Sequence, residues 1–332
     1  MSSTSKPTAG FAGLPAEYAI PEHAVPLGEA EVYCRRLARS HYENFSVATW
    51  FLPAHLRQHF YNVYAYCRIS DDLGDEVGDP QQSLALLDQW EDELNATYLS
   101  LVRPHPLDLG GDVEKLRPQP PIRNAAHPRH PVFVALRETI FEFDIPRETF
   151  SDLLVAFRQD QRVTRYETFD DVLGYCYYSA NPVGRLVLYL CGYRDEHRHQ
   201  LSDYTCTALQ LANFWQDVAV DYAKGRVYLP LEDLRRFGVD EGTLAARRAT
   251  PQFRELMRFE VERAREWFQR GLPLAAQVDR RLGTDIELFT RGGQEILKAI
   301  ERQRYDVLRR RPVISRSRKL VLLARAVLGR RR

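Results

Sequence analysis

The chain lacks most of the features that announce a function by themselves. No stretch approaches the roughly 18 to 20 unbroken apolar residues of a membrane-spanning helix, so no spanning segment is expected. The first residues, MSSTSKPTAGFAGLPAEYAIPEHAVP, hold one lysine, scattered proline and glycine and no apolar core, which does not fit a signal peptide. They read as a flexible arm over residues 1–25. The five cysteines are odd in number and contain no Cys-x-x-Cys pair. A disulfide framework and a zinc site are both unsupported, and reduced, buried thiols in a cytoplasmic protein are expected. There is no G-x-G-x-x-G and no G-x-x-x-x-G-K-[ST], so the usual phosphate loops of nucleotide-binding folds are missing. Alternating strand patterns joined by Asn-Gly or Asp-Gly turns are absent, as is any fixed-period repeat.

What the chain does have is helical periodicity. Apolar residues recur at three- and four-residue spacing in 29–45, 55–76, 82–102, 130–143, 148–162, 169–192, 201–225, 251–278 and from Thr284 to about Arg309. Residues 103–131 break the series with seven prolines and Gly110-Gly111. Because the flanking segments share the same character, this stretch reads as a long loop inserted into one all-α domain spanning 26–310.

Charge is uneven. The formal net charge is +1, yet residues 303–332 carry a local +10, which leaves about −9 on the rest. Basic tails of this kind meet anionic membrane or nucleic acid. Within 311–332 an apolar run, Leu320 to Leu323 and Ala326 to Leu328, lies between arginines. That combination favours an interfacial helix on anionic lipid, peripheral to the inner face of a membrane, over nucleic acid. A final bundle helix with a basic end is the alternative.

Two acidic clusters stand out. In YCRISDDLGDEVGD, Asp71 and Asp75 fall at i and i+4 on one helix face, where like charges repel by a few tenths of a kcal/mol. In LQLANFWQDVAVDYAKGRVYLP, Asn213, Asp217 and Asp221 form a second stripe beside Phe214, Trp215 and Val218. Unpaired charge beside apolar surface is costly, and a cation offsets that cost. The donors are all oxygen, few per helix, with no twelve-residue calcium loop and no His or Cys pattern. This suits Mg²⁺, which keeps open positions for substrate phosphates. A pair of solvated helix faces is the plain alternative.

These two stretches resemble the aspartate-rich signatures of the squalene/phytoene synthase family. HYENFSVATWFLP (41–53) is similar to the family's amino-terminal substrate segment, and TRYETFDDVLGYCYYSANPVG (164–184) to its central helix. The resemblance runs from about residue 29 to 300. It implies an all-α, single-domain isoprenoid-synthase bundle around a central cavity. It also implies two or three Mg²⁺ ions on Asp71, Asp75, Asn213, Asp217 and Asp221, with these aspartates and Tyr64 catalytic. Substrate contacts would come from His41, Phe45, Arg68, Tyr175, Asn181, Gln210, Asn213, Gln216, Lys224, Arg226 and Tyr228. Arg68 suits a diphosphate bidentately or pairs with Asp72 alone. Lys224, Arg226 and Tyr228 follow the second signature in a glycine-containing loop that could close as a basic lid.

Two departures narrow the resemblance. Ser179-Ala180-Asn181-Pro182-Val183-Gly184 stands where many members read Val-Ala-Gly, and Trp215-Gln216-Asp217 where many carry Arg before that Asp. Both look like the hydroxysqualene synthase branch of the bacterial hopanoid pathway, which takes presqualene diphosphate to hydroxysqualene without NADPH, alongside other enzymes of its pathway. Tyr42, Asn181 and Gln216 are then candidates to hold the attacking water. The rival readings are head-to-head condensation of farnesyl or geranylgeranyl diphosphate, and a non-enzymatic helical protein with a lipid- or RNA-binding tail.

Overall fold

The structure, a computed structural model, describes residues 18–40, 53–101 and 127–315. His41, Tyr42 and Phe45, most of the proline-rich loop and the apolar part of the basic tail lie outside these. The described residues form twelve α-helices: α1 Leu27–Ser40, α2 Arg57–Asp75, α3 Pro80–Leu99, α4 Pro131–Phe143, α5 Glu148–Asp160, α6 Phe169–Ser179, α7 Asn181–Leu190, α8 Glu196–Ala223, α9 Leu231–Arg236, α10 Glu241–Ala245, α11 Pro251–Gly271 and α12 Arg280–Arg302. A 3₁₀ turn, Leu272–Ala276, links the last two. Among the described residues there is no strand, only an isolated bridge between Arg165 and Val227. No helix among them is long and apolar enough to cross a membrane.

Helix starts are written locally. Asp79 accepts from the backbone N–H of Gln82 ahead of Pro80, and Thr250 accepts from Phe253 ahead of Pro251. Thr168 and Asp171 form a reciprocal capping box at α6. Side-chain oxygens satisfy orphan N–H donors there, and proline fits the first turn because its missing donor is not needed.

Packing then does what propensity cannot. Helices of 11 and 10 residues, as α6 and α7 are, would be marginal alone. One apolar cluster gathers α1 to α5 around Trp90, Tyr66, Phe133 and Phe150. A second gathers α6, α8, α11 and α12 around Trp215, Phe253 and Phe268. Each fully buried large side chain contributes about 1.5–3 kcal/mol. Gly184 lets α7 lie directly on α8: an added Cβ would collide with Ser202 Oγ and Cys206 Sγ.

The structure corrects three expectations. The segment 169–192 is two helices, because Pro182 lacks an N–H and its ring cannot follow a preceding helical turn, so the backbone breaks at Ala180. The periodic pattern gave no sign of α9 and α10, which are too short to show one. The arm is packed at its described end, with Tyr18 only 7% exposed and in the first core cluster and Val25 against it.

Candidate active site

A cavity of about 430 Å³ lies in the seam between the two clusters, lined by α2, α5, α6, α7, α8 and the segment after α8. Both acidic stripes face it. Asp71 and Asp75 come from α2, and Asn213, Asp217 and Asp221 from α8. Tyr64, Arg68, Tyr175, Gln210, Lys224, Arg226 and Tyr228 also line it. The helical period sets each stripe on one face of its own helix, and the packing of the bundle brings residues about 140 positions apart to one cavity.

Charge is tightly coupled here. Desolvation in the cleft pushes the Asp71 carboxyl up to about 6, and Asp75 one turn on adds to it. Burial pushes Asp221 up to about 7, with Asp217 adding and Lys224 and Arg226 opposing. Arginines thread the acids. Arg226 Nη1 meets Asp75 Oδ1 at 2.9 Å. Arg68 Nε donates to Asp72 Oδ2 at 3.0 Å, with Asp71 Oδ2 at 3.9 Å and Glu76 at 3.3 Å. Arg68 pairs Asp72, which is buried and off the cavity lining, and it also borders the cavity.

The segment after α8 forms one wall of the cavity. Gly225, at φ +82°, ends the helix in a left-handed turn open to glycine, and the Arg226 N–H donates back to Asp221 O at 2.9 Å. Tyr228 is buried and stacks on Phe214 with centroids 3.9 Å apart. Tyr175 and Tyr166 complete an aromatic group around it.

Two expected contacts are absent. Asn181 does not line the cavity; its Oδ1 accepts from Thr207 Oγ1 at 3.0 Å, because the break before Pro182 turns it toward α8. Gln216 is buried and donates to the carbonyl of Pro312, since it faces one helical step away from the Asn213–Asp217 stripe. His41 and Phe45 lie outside the described residues.

Three residues escaped the sequence reading. Asp160, at the end of α5, lines the cavity and accepts from the Tyr175 hydroxyl at 2.9 Å. Burial pushes its carboxyl up to about 7, against the pull of Arg226 and the Tyr175 bond. Ser179, noted only as part of a motif, lines the cavity as well. Arg311 reaches both oxygens of Asp217, Nη2 to Oδ2 at 2.9 Å, and meets Gln216 Oε1 at 3.2 Å. No helical period links Arg311 to α8, and the tail was read as a unit.

The donor set suits a hard divalent cation. Four carboxylates and an amide oxygen from two helices border one cavity, and two of those carboxyls have raised affinity for positive charge in the form of a proton. Among the described residues no three acidic, His or Cys side chains close on one point.

A helical shell around a cavity with two oxygen-donor stripes and an aromatic wall defines an isoprenoid-synthase type of enzyme. The chain belongs to the squalene/phytoene synthase family, which it matches over residues 38–318 and whose members act on prenyl diphosphates. Phytoene synthase of Arthrospira platensis is 30% identical over 315 residues, covering 90% of this chain and 92% of that protein. The 15-cis-phytoene synthase of Synechococcus elongatus is 28% identical, covering 91% and 94%. The crystal structure of squalene synthase HpnC from Alicyclobacillus acidocaldarius is similar at 44% identity and a TM-score of 0.73, covering 85% of this chain and 97% of that one. A dehydrosqualene synthase in complex with ligand matches at 26% identity and the same TM-score, covering 92% and 98%. Membership in an enzyme family sets aside the reading of a non-enzymatic helical protein.

Proposed function

We propose that the chain is a Mg²⁺-dependent synthase converting presqualene diphosphate to hydroxysqualene by loss of diphosphate, rearrangement of the cation and capture of water, with no NADPH. The observation that carries this is the cavity itself: two oxygen-donor stripes and three basic side chains beside an aromatic wall. Its 44% identity to a protein described as squalene synthase HpnC, and the Ser-Ala-Asn-Pro-Val-Gly and Trp-Gln-Asp departures, favour the hopanoid branch.

Asp71 and Asp75 with Asn213, Asp217 and Asp221 would hold the metal, which when bound supplies charge neutralisation for the departing diphosphate. Arg68, Lys224 and Arg226 present donors to the diphosphate oxygens, and guanidinium geometry suits two oxygens at once. Arg226 would exchange its bond to Asp75 for phosphate. Phe214, Tyr228 and Tyr175 offer ring faces to the carbocation, each worth about 0.5–2 kcal/mol. Tyr64 on α2 borders the same space beside Arg68.

Purified protein given Mg²⁺ and presqualene diphosphate, without nicotinamide, is expected to yield hydroxysqualene and diphosphate. Efficient consumption of farnesyl diphosphate with release of presqualene diphosphate would overturn this. It would favour the second reading, head-to-head condensation of prenyl diphosphates, which the phytoene synthase relatives support. The same proposal includes peripheral contact of the basic tail with anionic lipid, near the enzymes that supply its substrate. Liposome flotation of the full chain against one ending at Ser315, which keeps Arg311, tests it; equal binding ends the membrane claim.

A further inference from the structure

Water capture asks for two things. One water must be held against the cation, and a base must receive its proton. Asn181 and Gln216, at which this sequence departs from many relatives, are engaged elsewhere, with Thr207 and Pro312. The cavity wall holds a different pair. Asp160 Oδ1 and Ser179 Oγ are both buried atoms that meet no hydrogen-bonding partner among the described residues, and both residues line the cavity. Asp160 is only 8% exposed. A buried acceptor left in this state is costly, and native folds seldom keep one without use.

Both residues border one cavity. The Tyr175 hydroxyl donates to Asp160 Oδ2 at 2.9 Å, which fixes the carboxyl and leaves Oδ1 over. Ser179 follows Tyr175 by four residues on α6, so it lies on the same face one turn along.

We infer that Asp160 and Ser179 form the site of the attacking water, with Asp160 the base that accepts its proton; this rests on the hydration reading above. The C–O bond to diphosphate breaks, and its electron pair leaves with the diphosphate. After rearrangement, a lone pair of the held water forms the new C–O bond. One of the water's O–H bonds breaks, its electrons stay on oxygen, and the proton passes to Asp160 Oδ1. Ser179 Oγ accepts from the other hydrogen and orients the molecule. Substrate and water give alcohol, diphosphate and a proton, with no oxidant or reductant. Burial pushes the Asp160 carboxyl up to about 7, where a base works well near neutral pH.

The test uses full-length protein with Mg²⁺ and presqualene diphosphate in ¹⁸O-labelled water, reading labelled hydroxysqualene against diphosphate released. In Ser179→Val and in Asp160→Asn that ratio is expected to fall about a hundredfold or more, the lower end of what a general base contributes, with C30 hydrocarbon from proton loss in its place. Calorimetry checks that each variant is folded, and Ser179→Val keeps the Asp160–Tyr175 bond should Asp160→Asn unfold. Wild type making hydroxysqualene while the folded variants keep its ratio overturns the water site alone. Wild type releasing diphosphate without hydroxysqualene overturns the hydration reading, and the water site with it.

Discussion

The two acidic stripes carry the same chemistry and are wired differently. On α2, the acids are threaded by arginines already inside the fold: Arg68 from the same helix, and Arg226 from the turn after α8 at 2.9 Å from Asp75. On α8, Asp217 is held from outside the bundle by Arg311, whose side chain is half exposed. Equal donors can thus differ in how firmly they are held. The α2 stripe is set once the bundle closes, whereas the α8 stripe also depends on a segment beyond α12, the last described helix. Counting carboxylates alone would have called the stripes equivalent.

The largest effects test whether they are equivalent in function. Asp71→Asn and Asp217→Asn are each expected to lower the steady-state rate by on the order of 10² or more, because a lost carboxylate loosens a charge stabilisation worth several kcal/mol. A loss confined to one of them would break the symmetry of the two stripes. The arginines should separate next. Arg226→Gln, part-buried and bonded to a charged partner, is expected to cost about tenfold to a hundredfold. Arg311→Gln, solvent-screened, should cost about fivefold or less. Reversal of that order in kcat/KM would place the tail segment, and not the α8 turn, at the centre of the site.

A smaller effect reads binding without turnover. Mg²⁺ with a non-hydrolysable diphosphate analogue at a hundred times its dissociation constant contributes about 2.7 kcal/mol, which should raise the melting temperature by about 4 °C. Chelator should remove the gain, and so should Asp71→Asn.

The smallest effect comes from an acid outside both stripes. Glu260 on α11 is fully buried, 3.5 Å from Arg263, and burial holds its carboxyl well above the ordinary carboxylate range. The native chain therefore keeps a proton that the unfolded chain gives up above about pH 4.5, so this residue lowers stability as pH rises. Glu260→Gln should raise the melting temperature by about 1–3 °C at pH 7.5 and by less at pH 5, with the rate unchanged. A gain equal at both pH values would show that the carboxyl is ionised in the fold.

Much of this site could be read without coordinates, and the reason is geometric. Asp71 with Asp75, and Asn213 with Asp217 and Asp221, share a helical period, so spacing alone places them on common faces. Arg226, Gln210 and Tyr228 came through the signatures around those stripes. Asp160 did not, because it is a lone acid at a helix end, and only the packing of α5 on α6 sets it against Tyr175. Asn181 misled for the opposite reason: it stood in an informative motif, but Pro182 breaks the helix there and turns it away. Arg311 was hidden in a run of arginines whose summed charge suggested a lipid surface and said nothing of any single member. Local period is legible; contacts made only by tertiary packing are not.

The clasp of Arg311 on Asp217 joins residues 94 positions apart, at the far end of the described chain. During synthesis at roughly 5–20 residues per second, the α8 acids therefore leave the ribosome about 5–20 s before their partner exists. The helices α11 and α12 are made in that interval, before Arg311. A chain halted before Arg311 would lack this clasp on the α8 stripe. Ribosome-bound chains halted before and after Arg311 would make that order of assembly visible.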